Sequence, residues 1–270
     1  GNIMNFNKPK IMGILNVTPD SFYDGGVFNS KKKVLNQVQT MIDQGVDIID
    51  IGGYSSKPGA ENISLDIELK RVIPYIEIIK KNFEDIPVSI DTFRSKVAKE
   101  AVNNGAEIIN DISSGDLDQN MFETVSELKV PYIMMHMKGK PTNMQVNPVY
   151  KNLVVDISEN LSKKIFEART KGINDIIIDP GFGFGKTIND NYILLKNLSF
   201  FKELGCPILV GISRKSMIYK VLNTDPQNSL NGTTCLNTIS LINGANILRV
   251  HDVRKAKEVV DLLESLNSRL

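Results

Sequence analysis

Val46-Asp47-Ile48-Ile49-Asp50-Ile51-Gly52-Gly53 reads as a β-strand that is apolar almost throughout instead of alternating with polar residues. A strand with one solvated face shows period-two alternation, whereas a strand covered by helices on both faces has no polar side to present. Ile176 to Pro180 repeats the pattern, as do Lys10 to Val17, Pro87 to Phe93, Glu107 to Ser113, Pro131 to Met137, Pro207 to Ser213 and Ala245 to His251. Outward from each run lie segments of helical period. Val34, Leu35, Val38, Met41 and Ile42 precede the first run quoted, and Val97, Ala98, Ala101 and Val102 lead to a stop at Gly105. Asp252 is positioned to cap a last helix whose face carries Val253, Ala256, Val259, Val260 and Leu263. Eight strand-helix units without a linker or low-complexity tract predict a single (β/α)8 TIM barrel over residues 10–270, with a doubly wound open sheet as the alternative. Residues 1–9 read as an N-terminal extension, part of it an expression scar because the chain opens with Gly and Met4 follows three residues.

Length and charge fit this reading. A chain of 270 residues exceeds the roughly 150 expected per domain, but α/β barrels commonly run to about 250 as one unit. With 32 Lys+Arg against 31 Asp+Glu, a net charge of +1 and no long like-charged block, no field suited to a nucleic acid is expected. Cys206 and Cys235, the two cysteines, form no Cys-x-x-Cys pair, which argues against a disulfide scaffold and for a reducing compartment. Neither a signal-peptide core nor about 18 consecutive apolar residues occurs, so a soluble, cytoplasmic protein without membrane attachment is expected.

A barrel of this type builds its site at the C-terminal ends of its strands. In order, the runs end in Asn16, Gly52-Gly53, Asp91, Asn110-Asp111, His136, Asp179, Ser213-Arg214-Lys215 and Arg249-Val250-His251. One Asp or Asn in such a place is commonly a cap or turn former. Seven polar ends of eight are expected to converge on one mouth that takes a polar ligand.

Asp179-Pro180-Gly181-Phe182-Gly183-Phe184-Gly185-Lys186-Thr187 ends like a phosphate-binding P-loop, but Pro180 stands where the first glycine should be. Proline removes an N–H and fixes φ, which spoils a phosphate cradle. A glycine-lined loop flanked by Phe182 and Phe184 is instead expected to let a flat ring approach, with Asp179 at its root. A carboxylate accepts two N–H bonds at once and so suits the amino-pyrimidine edge of a guanine-like or pterin ring, while Asn offers both donor and acceptor. Asp91, Asn110, Asp179 and Lys215 therefore form one candidate set. Asn16, Arg249 and His251 form another, suited to an anionic leaving group with Mg2+. His136, within Met134-Met135-His136-Met137, lacks the neighbouring ligands that zinc needs.

At this point the chain resembles the dihydropteroate synthase family along nearly its whole length. The motifs that carry the resemblance are Ile14-Leu15-Asn16-Val17-Thr18-Pro19-Asp20-Ser21-Phe22, Ser89-Ile90-Asp91-Thr92, Ile109-Asn110-Asp111-Ile112-Ser113, Met135-His136-Met137, Asp179 to Lys186, Ser213-Arg214-Lys215 and Arg249-Val250-His251-Asp252. The resemblance implies condensation of 6-hydroxymethyl-7,8-dihydropterin pyrophosphate with 4-aminobenzoate in folate biosynthesis, giving 7,8-dihydropteroate and pyrophosphate. It implies a pterin site of Asp91, Asn110, Ile112, Met135, Asp179, Phe184, Leu209, Gly211 and Lys215. It further implies a pyrophosphate site of Asn16, Lys57, Arg249 and His251, and Mg2+ on Asn16 and Asp20. The 4-aminobenzoate site would use Phe22, Ser56, Pro58, Lys215 and Ser216, with its carboxylate near the start of the helix after Lys215. Pyrophosphate is expected to leave before the amine attacks, so that Asp24 stabilises the pterin cation and Asp91, Lys215, Arg249 and His251 complete the catalytic set. A homodimer is also implied, and the first and second loops are expected to act as lids.

The second loop departs from the family pattern Gly-Glu-Ser-Thr-Arg-Pro-Gly, because this chain reads Gly53-Tyr54-Ser55-Ser56-Lys57-Pro58-Gly59. Lys57 keeps the charge without the bidentate fork, and Tyr54 replaces an acid by a phenol. Two other functions remain open on sequence grounds. One is a pterin-binding methyltransferase-type barrel and the other a non-catalytic pterin-binding protein on the same fold.

Overall fold

The computed structural model describes residues 5–17, 26–54, 63–139 and 148–267. The strands are β1 (Lys10–Asn16), β2 (Ile48–Gly52), β3 (Val88–Asp91), β4 (Ile108–Asp111), β5 (Tyr132–Met135), β6 (Ile176–Asp179), β7 (Leu209–Val210) and β8 (Ile247–Val250). They pair in parallel in the order β6-β5-β4-β3-β2-β1-β8-β7. A parallel bridge from Ile178 to Ile208 joins β6 to the approach of β7 and closes the ring. The open-sheet alternative is thereby overturned.

Helices α1 (Gly26–Asp43), α2 (Leu65–Asn82), α3 (Ser95–Asn103), α4 (Met121–Leu128) and α5 (Leu153–Thr170) follow β1 to β5 in turn. After β6 come α6 (Ile188–Lys196) and a 3-10 segment, Leu198–Leu204. After β7 come the single turn α7 (Ser216–Tyr219) and then α8 (Leu230–Ile242), and α9 (Val253–Asn267) follows β8. The periodicities read from the sequence face inward: Val34, Val38 and Met41, then Val97, Ala98 and Ala101, then Val253, Ala256, Val259 and Val260 are all buried. Asp252 directly precedes α9, but both its carboxylate oxygens are taken by Arg214, Nε at 2.8 Å and Nη2 at 2.9 Å, in place of the expected cap.

The apolar residues divide into two layers. Met12, Ile48, Ile108, Ile133, Ile177, Leu209 and Ile247 pack together inside the barrel, with Phe6 against them. Strand residues of the opposite parity, such as Ile11, Ile49, Ile109, Ile178 and Leu248, join the helices in the outer core. Because successive strand side chains alternate faces, the residue two places beyond each inner-layer member also points inward. That places Ile14, Asp50, Asn110, Met135, Asp179, Gly211 and Arg249 above the apolar floor, and register adds Ser89 and Asp91 through their pairing with Asp50 and Gly52. The barrel interior therefore changes from apolar to charged toward the C-terminal ends of the strands.

Candidate active site

Two of the inward carboxylates, Asp50 and Asp91, meet the inward guanidinium of Arg249 directly. Arg249 donates from Nε to Asp50 Oδ2 and from Nη2 to Asp91 Oδ2, each at 2.6 Å. Asp50 is fully buried and also accepts from Asn110 Nδ2, at 3.2 Å and 3.4 Å to its two oxygens. Burial pushes the Asp91 carboxyl up to about 7; Arg249 opposes this, while Asp50, Glu68 and Asp111 reinforce it. Gly52 lies between Asn16 and Asp91: a Cβ there would stand 3.6 Å from Asn16 Oδ1 and 3.7 Å from Asp91 Oδ2. The Asn16 oxygen and the Arg249-bound oxygen of Asp91 thus lie side by side at the rim.

Opposite this cluster, Asp179 is buried and accepts from Gly181 N at 2.7 Å. Burial raises its pKa, against the pull of Lys215. Burial conversely lowers the Lys215 ammonium to about 8, with Asp179 holding it up. Lys215 Nζ donates to Phe182 O at 2.6 Å and stands 4.8 Å from the centre of the Phe184 ring. Ile112 and Met135 are buried on the same inward parity, Leu209 belongs to the apolar floor, and Gly211 sits beside the Arg249 stem. The residues expected at the pterin site therefore gather at the C-terminal end of the barrel interior.

The Gly181–Gly185 turn is dictated by its neighbours. Gly181 has φ +77°, and a Cβ there would fall 1.9 Å from His136 O; Gly185 has φ +62° and would meet Lys138 O at 2.4 Å. No other residue type fits either place. Lys186 is buried beneath this turn, donating to Gly181 O (2.9 Å) and Phe184 O (3.1 Å) and lying 3.0 Å from His136 Nδ1. Burial brings its pKa down to about 7, and burial together with Lys186 and Lys138 brings His136 to about 3. Lys186 thus anchors a loop from within. Thr187 N-caps α6 in a capping box with Asp190, in keeping with the rejection of the P-loop.

Four expectations are corrected. His136 has the outward parity and binds Lys186, so it does not reach the mouth. Asp111 faces the outer wall, accepting from Tyr132 Oη at 2.6 Å and from Ser113 N, Ser113 Oγ and Gly115 N at 2.8 Å each. Phe182 is fully buried in the outer core, which leaves Phe184 as the ring at the loop's open side. Finally, the helix after Lys215 is the single turn α7, so a full macrodipole is not available to an anion near Ser216.

His251 remains at the rim, its Nδ1 3.0 Å from Ser213 Oγ. Tyr54 packs edge-on against Phe93, with centroids 5.2 Å apart, and Arg94 stands 5.7 Å from its ring. Arg94 is itself paired with the buried Glu68 and donates to Ile63 O at 2.7 Å. A phenol at position 54 therefore rests on an arginine whose charge is already matched. Asp20, Phe22, Asp24, Ser56, Lys57 and Pro58 lie outside the described residues. Sequence reasoning missed Asp50 and the anchoring role of Lys186. The signal for Asp50 was a charge inside an apolar run, which burial forbids unless partners are supplied.

A closed parallel barrel whose mouth combines acceptor-rich inward side chains with a buried Lys and Arg defines a class of enzyme that holds a flat, polar heterocycle bearing an anionic group. The family of pterin binding enzymes matches residues 12–251. The chain is 41% identical to the dihydropteroate synthase of Escherichia coli strain K12 over 267 residues, covering 98% of this chain and 94% of that protein. Its fold superposes on the crystal structure of the Yersinia pestis dihydropteroate synthase with a sulfonamide drug complex at a TM-score of 0.93, with 41% identity and 99% and 98% of the two chains covered. The Xanthomonas albilineans dihydropteroate synthase in complex with 7,8-dihydropteroate gives 0.88, at 34% identity and 99% and 97% coverage. The chain belongs to the dihydropteroate synthase family.

Proposed function

We propose that this chain condenses 6-hydroxymethyl-7,8-dihydropterin pyrophosphate with 4-aminobenzoate to give 7,8-dihydropteroate and pyrophosphate. The observation that carries the reading is the inward set Asp91, Asn110 and Asp179 facing Lys215, with Arg249 beside it. Family membership and the relative solved with 7,8-dihydropteroate support the same substrate class.

In this reading Asp179 accepts from the amino-pyrimidine edge, Lys215 donates to the ring carbonyl, and Met135, Ile112, Phe184, Gly211 and Leu209 enclose the ring. The methylene C–O bond breaks first, its electron pair leaving on pyrophosphate, which Arg249, His251, Asn16 and Lys57 receive. The cation left on the methylene is stabilised by Asp91 and Asp24. The aniline nitrogen of 4-aminobenzoate, held by Phe22, Ser56, Pro58, Lys215 and Ser216, forms the C–N bond and releases a proton to solvent. An aryl amine is nucleophilic at neutral pH, so no strong general base is needed. The Asn16 carboxamide oxygen at the rim beside Gly52 has the donor chemistry that suits Mg2+. Asn16 with Asp20 would hold that ion, which supplies positive charge to the departing pyrophosphate.

We also read the protein as a cytoplasmic homodimer and a sulfonamide target. No helix of the described residues is long and apolar enough to cross a membrane. Ile239 and Ile242 of α8 and Leu262 and Leu266 of α9 are exposed, as an association surface requires. Light scattering on the eluted protein tests the dimer. The function is tested by pyrophosphate release with mass-spectrometric product identification, from the pterin pyrophosphate and Mg2+ with and without 4-aminobenzoate. Dihydropteroate only when the amine is present is the expected result, and bound pterin without product would point to the non-catalytic alternative.

A further inference from the structure

We infer that Asp50 is a positioning residue of the pterin slot, which turns the carbonyl oxygen of Asn110 toward the bound ring and holds the Arg249 guanidinium at the ring's edge. This rests on the functional reading above and extends it to a residue outside the substrate-holding set named there.

The chemistry follows from what a carboxylate can do. An ionised carboxylate only accepts, so the atom of Asn110 that faces it must be the amide nitrogen. Asn110 Nδ2 lies 3.2 Å and 3.4 Å from the Asp50 oxygens, and that orientation leaves Oδ1 as the group presented on the other side. Without Asp50 the amide has two orientations of similar shape and opposite polarity. With it, the slot presents an acceptor at position 110 alongside the acceptors Asp91 and Asp179. Asp50 oxygen Oδ2 also receives Arg249 Nε at 2.6 Å, while Nη2 goes to Asp91. A guanidinium held through two of its nitrogens has a fixed plane, which a single ion pair would not impose.

The position in the fold makes this arrangement stiff. Asp50 pairs with Ile14 across β1 and with Ser89 across β3, is fully buried, and stands one inward step below the rim residue Gly52. Side chains on packed strands hold a constellation more tightly than loop residues do. Asp50 therefore links a residue of the ring site to a residue of the anion site through one carboxylate.

The test uses two probes that separate the two arms. Calorimetry with 6-hydroxymethyl-7,8-dihydropterin reads the Asn110 arm, and inorganic pyrophosphate with Mg2+ reads the Arg249 arm. In Asp50→Asn the new amide can donate to Asn110 Oδ1 and leave Nδ2 facing the ring. Ring affinity should fall about tenfold or more, the size of one hydrogen bond turned to a mismatch. In an Asn110→Ala background the same change should cost less than about threefold, because the coupling runs through the missing amide. Pyrophosphate affinity should fall in Asp50→Asn and be unaffected by Asn110→Ala. Where Asp50→Asn does not fold, Asp50→Ser is measured in the same two backgrounds. Unchanged ring affinity, or an equal loss with and without Asn110, overturns the assignment. A wild-type chain that binds neither probe overturns the functional reading, and this assignment with it.

Discussion

Replacing Lys186 by methionine isolates the anchor beneath the Gly181–Gly185 turn. Methionine keeps most of the aliphatic stem and the volume, so the apolar contribution changes little. What disappears is the donor to Gly181 O at 2.9 Å and toward His136 Nδ1 at 3.0 Å, both buried, and to the half-buried Phe184 O at 3.1 Å. Each buried acceptor left without a partner costs about 1–3 kcal/mol, and removing the burial cost of the ammonium offsets part of the sum. We expect a net destabilisation of about 3 kcal/mol, read as a lower denaturation midpoint in urea with an unchanged slope. The pH dependence gives a second signature. Folded Lys186 releases its proton at about 7, whereas an unfolded lysine keeps it to about 10.5. Across that window the unfolded state binds more protons, so Lys186 makes stability rise with pH. Lys186→Met should flatten the rise. The loop also presents Gly181 N to Asp179 and Phe182 O to Lys215, so pterin affinity should fall together with stability. A midpoint shift worth less than about 1 kcal/mol, with the rise in stability above neutral pH intact, would refute the anchoring argument.

Asp179→Ala should lower dihydropterin affinity by at least about a hundredfold, since the ring loses a paired charged acceptor; unchanged affinity by calorimetry would overturn the pocket assignment. Asp91 keeps its proton to about 7 in the fold and only to 3.8 when unfolded, so its contribution to stability is full at low pH and is lost as pH rises through about 7. Urea midpoints across pH 4 to about 8 should show a steeper loss in the wild type than in Asp91→Asn, which keeps the contributions of the other raised carboxyls, Asp111 and Asp179. Tyr132→Phe removes one of the four bonds that the outward Asp111 accepts and should cost about 1–2 kcal/mol of stability while leaving turnover intact. A comparable loss of turnover at full folding would mean that Asp111 serves the mouth after all.

The barrel was legible because all-round burial removes alternation from a strand, and eight runs such as Ile176-Ile177-Ile178 carry that mark. The same property hid the direction of the polar residues at the strand ends. Asn110 and Asp111 are neighbours of similar size, and so are Met135 and His136; within an apolar run nothing in the residue types says which member of a pair points inward. The difference is set by register, since the inward parity is inherited from floor residues such as Ile108, Ile133 and Ile177. One rule recovers most of it: side chains an even number of places beyond an inner-layer residue face the ligand. Applied to Ile48 it selects Asp50 and Gly52, and applied to Ile247 it selects Arg249 and His251. Lys186 escapes even this rule, because its role depends on a turn whose glycines let a carbonyl cage form around an ammonium, a three-dimensional closure with no period. The carboxylate and the lysine that sequence reasoning passed over share one physical property: each is a buried charge with at least one partner far along the chain, Asp50 with Asn110 and Arg249, and Lys186 with His136. Such a charge persists in a core only where several elements converge to satisfy it, so it marks the place where strand register becomes site geometry.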